Sequence, residues 1–178
     1  MISISGGLSF ACPPECGWYI LNSLHRMGVS SEQIGEVNEV VLIPFSKERN
    51  GELLRVSCVM HPCDWIREAF VSGSIFQYMD YPTKDFDLFI TWILQVHRGI
   101  VGGIFSKYEA DTVLRVEDFP WNMIELMDSI GYDKSLIDHL RKVPSYESRC
   151  RNLPPWSEWM LREFKEAEKE VRDTYDYF

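Results

Sequence analysis

The sequence predicts a single α/β domain over residues 1–178, with a mainly parallel sheet flanked by helices and a helical C-terminal part. Three observations predict it. Short apolar, β-branched runs alternate with segments of helical periodicity, the order that parallel strands need for their crossovers. After residue 120 only helical periodicity remains. Finally, 178 residues with 46% hydrophobic and 13% aromatic content can bury one sizeable core.

Taken in order, Leu8–Ala11 is the first strand. Ile20, Leu21, Leu24 and Met27 then share one helical face, and Gly28 stands where a helix C-cap is expected. "VVLIPF" at 40–45 is a strand candidate, Asn50-Gly51 a turn, and "LLRVSCVM" at 53–60 a second, buried strand. Pro62 opens the next helix, because a missing N–H costs nothing in the first turn. Apolar positions 86, 89, 90, 93 and 96 give another helix, capped by Asp85 or Thr83. "TVLRVEDF" at 112–119 is a strand ending in two acids, and Glu117 and Asp118 are expected to cap the helix after it. Met123, Ile124, Met127 and Ile130 form that helix, stopped by Gly131, and a short helix surrounds Leu136–Leu140. After Pro154-Pro155, one last helix carries a stripe at 156, 160, 164, 167, 171 and 175.

Charge and composition exclude some classes. The net charge is −9, from 27 acids and 18 bases, so no basic footprint for nucleic acid is expected. The acids of the tail read as a solvated helix face. No apolar run reaches the roughly 18 residues of a membrane span. "MISISGGLSF" has neither a basic region nor an apolar core, so no signal peptide is expected. The five cysteines are an odd number and fit a reducing compartment better than a disulfide framework. A soluble, cytoplasmic protein is the expectation.

Ligands of parallel sheets sit beyond the carboxyl ends of the strands. Three such ends stand out: the loop Cys12–Tyr19, the turn Met60–Asp64, and Glu117-Asp118. The first has the strand, tight loop and helix of a phosphate-binding loop, with Gly17 allowing close backbone approach. Its one charge, however, is Glu15.

In these three places, in order, the chain resembles the sulfotransferase family. That family's first motif runs Pro, Arg or Lys, Ser or Thr, Gly, Thr, Thr, Trp, Leu; here it reads Pro14, Glu15, Cys16, Gly17, Trp18, Tyr19, Ile20, Leu21. The second, an Arg-x-Pro turn before a helix, is matched by Met60, His61, Pro62 and then Asp64-Trp65. A later Arg-x-Glu-Asp-Leu strand end is matched by Arg115, Val116, Glu117, Asp118, Phe119. "IELMDSIGYD" and the closing "TYDYF" continue the likeness over nearly the whole chain. The resemblance implies a P-loop-type three-layer domain. It also implies transfer of a sulfuryl group from 3′-phosphoadenosine 5′-phosphosulfate to a small hydroxyl or amine acceptor.

On that resemblance, Pro14, Cys16, Gly17, Trp18 and Tyr19 would hold the phosphosulfate. Arg67 and Arg151, with His61, would hold the 3′-phosphate, and Glu15 or His61 would act as base. The departures are chemical. The family's Lys or Arg adds a charge-assisted bond to the phosphate. Glu15 instead repels it, by about 1 kcal/mol at 4 Å in water and about 4 near a protein surface. The family's second-motif Arg is Met60, and the Ser eight residues on is Glu68. Arg149 and Arg151 stand where the family brings a late loop over the 3′-phosphate. The alternative is therefore a non-catalytic binding or assembly protein on the same fold.

Several residues keep two readings. Glu15 is a base or a solvent-exposed loop acid, and His61 a base, a phosphate donor or a plain helix-start histidine. Trp18, Tyr19, Trp65 and Trp92 line an acceptor pocket or fill a core. Cys12, Cys16, His61 and Cys63 are three thiols and an imidazole at neighbouring strand ends. They have the chemistry but not the usual spacings of a zinc site, and buried structural cysteines are the alternative, so no metal is assigned.

Overall fold

The computed structural model describes residues 2–4, 8–26, 54–77, 84–108, 110–131, 134–147, 150 and 153–177. The expected strand at 40–45, the Asn50-Gly51 turn, the Gly28 cap, Arg149 and Arg151 lie outside them. So does the side chain of Trp18.

The protein is a mixed α/β structure. Its sheet has the order β1 (Ile2–Ile4), β2 (Leu8–Phe10), β3 (Leu54–Val59), β4 (Thr112–Arg115). β2, β3 and β4 are mutually parallel; β1 lies antiparallel on the edge, with Ile2 opposite Phe10. The three parallel strands stand where the apolar runs place them. β1 was not expected: three residues are too few for a period to register. β4 is shorter than its apolar run, because Val116–Asp118 winds into a 3-10 turn closed by the Phe119 N–H donating to the Val116 carbonyl at 3.1 Å. Val56, Ser57, Cys58 and Val59 are buried in succession, so both faces of β3 are covered.

The chain divides into two compact units, 1–60 with 107–147 and 61–106 with 148–178. The first holds the sheet, α1 (Cys16–Arg26), α5 (Trp121–Ser129) and α6 (Lys134–Leu140). Phe10, Ile20, Val56, Phe119 and Met127 are among its buried side chains.

The second unit is helical: α2 (Pro62–Ser72), α3 (Phe86–Val96), α4 (Ile100–Phe105), α7 (Glu158–Ala167) and α8 (Lys169–Tyr175). Local chemistry sets its helix ends. Pro62 opens α2, and Gly73, at φ 75°, closes it in the left-handed conformation. The Asp85 carboxylate accepts from the Leu88 N–H at 3.0 Å, and the Ser157 hydroxyl from the Met160 N–H at 3.4 Å. The single last helix expected from the stripe is broken at Glu168, which leaves the helical region at φ −101°, ψ 26°. Its carboxylate accepts the N–H groups of Val101 and Gly102, at 3.2 and 3.0 Å, and so caps α4. Glu168 is thus buried and not part of a solvated face.

Among the described residues no single helix is long and apolar enough to cross a membrane. α3 with 100–108 has such a length and composition only as a pair bent by 74°.

Candidate functional site

The loop between β2 and α1 is where the sequence places an anion cradle. β2 ends at Phe10, and the ladder extends one step as the Ala11 N–H donates to the Val56 carbonyl at 3.1 Å. Cys12 to Cys16 then turn the chain into α1, all of them buried. Glu15 takes the left-handed conformation at φ 66°, which a residue with a Cβ adopts at a cost of about 1–2 kcal/mol. Its side chain is not the solvent-exposed acid of the simpler expectation: Glu15 is only 6% exposed.

The loop amides are turned on the loop itself. The Cys16 N–H donates to the Pro14 carbonyl at 2.7 Å, Gly17 to Pro13 at 3.1 Å, and Tyr19 to Glu15 at 3.1 Å. A phosphate cradle needs such N–H groups aimed at the ligand. The electrostatics run the same way. Burial pushes the Cys16 thiol well above its usual value, and the charges of Cys12, Glu117 and Glu15 push it further. The surroundings of Cys16 are therefore acidic, not basic.

The thiols that meet here are Cys12, Cys16 and Cys58. With Phe10 opposite Val56, two further residues bring Cys12 beside Cys58. Burial also raises the Cys58 thiol well above its usual value. Raised in this way, the Cys16 and Cys58 thiols are poor nucleophiles. Cys12 and Cys16 lie in the first unit, His61 and Cys63 in the second. No group of three or more His, Cys, Asp or Glu among the described residues is arranged to hold a metal ion.

The other strand ends carry no cradle either. Met60, in the position of the family's arginine, is buried, and its sulfur accepts the Tyr146 hydroxyl at 3.5 Å. Tyr19 donates its hydroxyl to the Pro144 carbonyl at 3.4 Å and stands edge-on to Tyr146 and Phe119. Glu117 and Asp118 sit in the 3-10 turn, and no side chain caps either that turn or α5. The capping expected of them is replaced by the turn's own backbone bond.

In the second unit, His61 is the N-cap of α2. Its Nδ1 accepts from the Cys63 N–H at 3.3 Å, and its ring meets Tyr177 edge-on. An accepting Nδ1 carries no proton, so the neutral ring carries its proton on Nε2. Both nitrogens of this tautomer are then unsuited to abstract a proton. Burial lowers the His61 pKa from 6.5; Asp64 opposes this and Lys165 adds to it. The folded state thus binds this proton less readily than the unfolded chain. The stability it contributes is complete above 6.5 and is lost as pH falls through the folded value. His61→Asn, which keeps a capping acceptor, is expected to hold neutral-pH stability within a few tenths of a kcal/mol and to flatten that acid-side loss. His61→Ala is expected to cost about 1 kcal/mol. Urea denaturation of the three proteins at several pH values checks both; equal loss in both variants would remove the capping role.

Arg67 donates to the carbonyls of Cys150 and Leu153, at 3.3 and 3.1 Å, and its guanidinium lies over Phe86, 5.6 Å from the ring centre. It ties Cys150 and Leu153 to α2. Trp65 is core, edge-on to Phe105, while Trp92 packs against Phe89 and His97. The Cys63 thiol is pushed up to about 12, chiefly by burial.

One cavity in the first unit was not anticipated. It measures about 240 Å³ and is lined by Tyr19, Asn22 and Ser23 of α1 and by His139, Lys142, Val143 and Pro144 at the end of α6. Tyr19, Asn22 and Ser23 lie at i, i+3 and i+4, one helix face, and that spacing was the available signal. Compared with protein-family models, curated proteins and solved structures, the chain finds no match.

Proposed function

We propose that this chain is a non-catalytic binding protein on a sulfotransferase-like, P-loop-type three-layer fold whose donor site is lost. The observation that carries this reading is Glu15: a buried carboxylate at positive φ inside a loop whose amides bond to their own carbonyls. A phosphosulfate there would meet a negative charge where the family supplies a positive one. The fold half of the proposal rests on three parallel strands in order, a strand–loop–helix at Cys12–Cys16, and the motif likeness along the chain.

The transferase reading keeps the same loop and gives Pro14, Cys16, Gly17, Trp18 and Tyr19 to the phosphosulfate of 3′-phosphoadenosine 5′-phosphosulfate. The two readings part on donor affinity. Thermal unfolding with 3′-phosphoadenosine 5′-phosphate separates them, since ligand at 100 times its dissociation constant adds about 2.7 kcal/mol. At this chain length that is a rise of roughly 5–10 °C. No rise at 1 mM nucleotide is expected. A rise of several degrees that disappears in Gly17→Val would overturn the proposal and restore the donor site.

A further inference from the structure

We infer that the cavity between α1 and the end of α6 binds a small organic carboxylate that also carries a hydroxyl group. The inference rests on the reading of the chain as a binding protein, and its cavity shares Tyr19 with the lost donor loop.

Charge is the first argument. The protein carries a net charge of −9, yet among the described residues no Asp or Glu lines this cavity, and Lys142 does. Among the described residues Lys142 has no ion pair; neighbouring Arg141 pairs with Asp138 at 3.1 Å and leaves the lysine to the cavity. The carbonyls of Ile137, His139 and Leu140 accept from the N–H groups of Arg141, Lys142 and Val143. The negative end of α6 is therefore satisfied by its own turn. The Lys142 ammonium, the Asn22 amide and the nearly buried Ser23 hydroxyl all belong to the cavity lining and supply donors for a carboxylate.

The second argument concerns the hydroxyl. His139 places Nδ1 2.6 Å from the Ser135 carbonyl. A carbonyl oxygen only accepts, so Nδ1 carries the proton, and Nε2 of the neutral ring is an acceptor. A hydroxyl on the ligand satisfies it; a second anionic group does not.

Size and walls complete the description. About 240 Å³ is the room of roughly eight waters at ~30 Å³ each, below the usual range for drug-sized ligands. Val143, Pro144 and the Tyr19 ring make the wall apolar, and the bond from the Tyr19 hydroxyl to Pro144 holds that wall in place. A six-membered ring with one carboxylate and one hydroxyl fits this volume and these walls.

The test is an amide chemical-shift titration of the whole chain with 4-hydroxybenzoate, and with 4-hydroxybenzamide as the uncharged control. Shifts at Asn22, Ser23 and Val143, a dissociation constant below about 1 mM, and at least tenfold weaker binding by the amide are expected. Lys142→Gln, an exposed substitution that leaves the fold intact, is expected to weaken the carboxylate about tenfold and the amide not at all. His139→Phe is expected to weaken 4-hydroxybenzoate more than benzoate. No shifts up to 10 mM, equal binding of acid and amide, or indifference to Lys142→Gln overturns the inference. The same spectra with 3′-phosphoadenosine 5′-phosphate report on Cys16 and Gly17. Shifts there would overturn the lost donor site and leave the result at Asn22 and Ser23 standing by itself.

Discussion

Replacing Trp65 with alanine is expected to destabilise the protein by about 3–5 kcal/mol, the largest effect of any substitution considered, because a large buried aromatic leaves a cavity that its neighbours refill only in part. Trp65 is 1% exposed and meets Phe105 edge-on with ring centres 5.8 Å apart. The adjoining α2 positions Ile66 and Ala69 are fully buried too, so little in the helix is free to move into the space. The melting temperature should fall on the order of 10 °C. Trp65→Phe keeps a ring against Phe105 and should lose substantially less. Calorimetric melting of both variants gives the answer. If Trp65→Ala melts within about 2 °C of the parent, the side chain borders a pocket, as one sequence reading had it, and does not fill a core.

Glu168→Ala is expected to cost about 3 kcal/mol. The substitution strips the acceptor from two backbone N–H groups at the start of α4, and a buried donor left unsatisfied costs about 1–3 kcal/mol. Glu168→Gln retains one acceptor oxygen and should cost about half as much. The pH dependence distinguishes this from a packing effect. Burial raises the Glu168 carboxyl above its usual 4.5, against the opposing pull of the Gly102 and Val101 N–H groups. The folded protein thus holds the proton to higher pH than the unfolded chain. The associated stability is complete below 4.5 and fades as pH rises through the folded value. Urea midpoints across that window should lose this component in Glu168→Gln. An unchanged pH profile in the glutamine variant would show that the carboxyl does not titrate in the folded protein's accessible range.

Glu168 also shows where reading along a chain stops. It stands four residues after Phe164 and three before Val171, beside stripe position 167, and that spacing marks it as inward-facing. Its partner does not appear in that spacing: the Val101 amide is 67 residues away. Counting the acids of the tail as one solvated face treated as uniform what a single buried carboxylate divides into two helices. Glu15 is the same lesson at the candidate site. Its charge, sitting where a cation is wanted, was plain in "PPECG"; its burial and its positive φ were not. His61 was legible as a helix-start residue, but whether its ring accepts or donates depends on the Cys63 amide.

What the sequence determined by itself was local. Apolar runs placed three parallel strands; Pro62 and Asp85 started helices; the missing cation at Glu15 argued against an ordinary phosphosulfate site. These arise from interactions spanning about four residues or from charge counting, which are present in any conformation the chain takes. The tertiary structure alone decided which thiols meet, that Arg67 binds carbonyls 83 and 86 residues away, and that Tyr19 reaches Pro144 across 125 residues to border a cavity with Lys142. Burial, tautomer and cavity lining are properties of pairs brought together by packing, and packing is set by the whole chain at once.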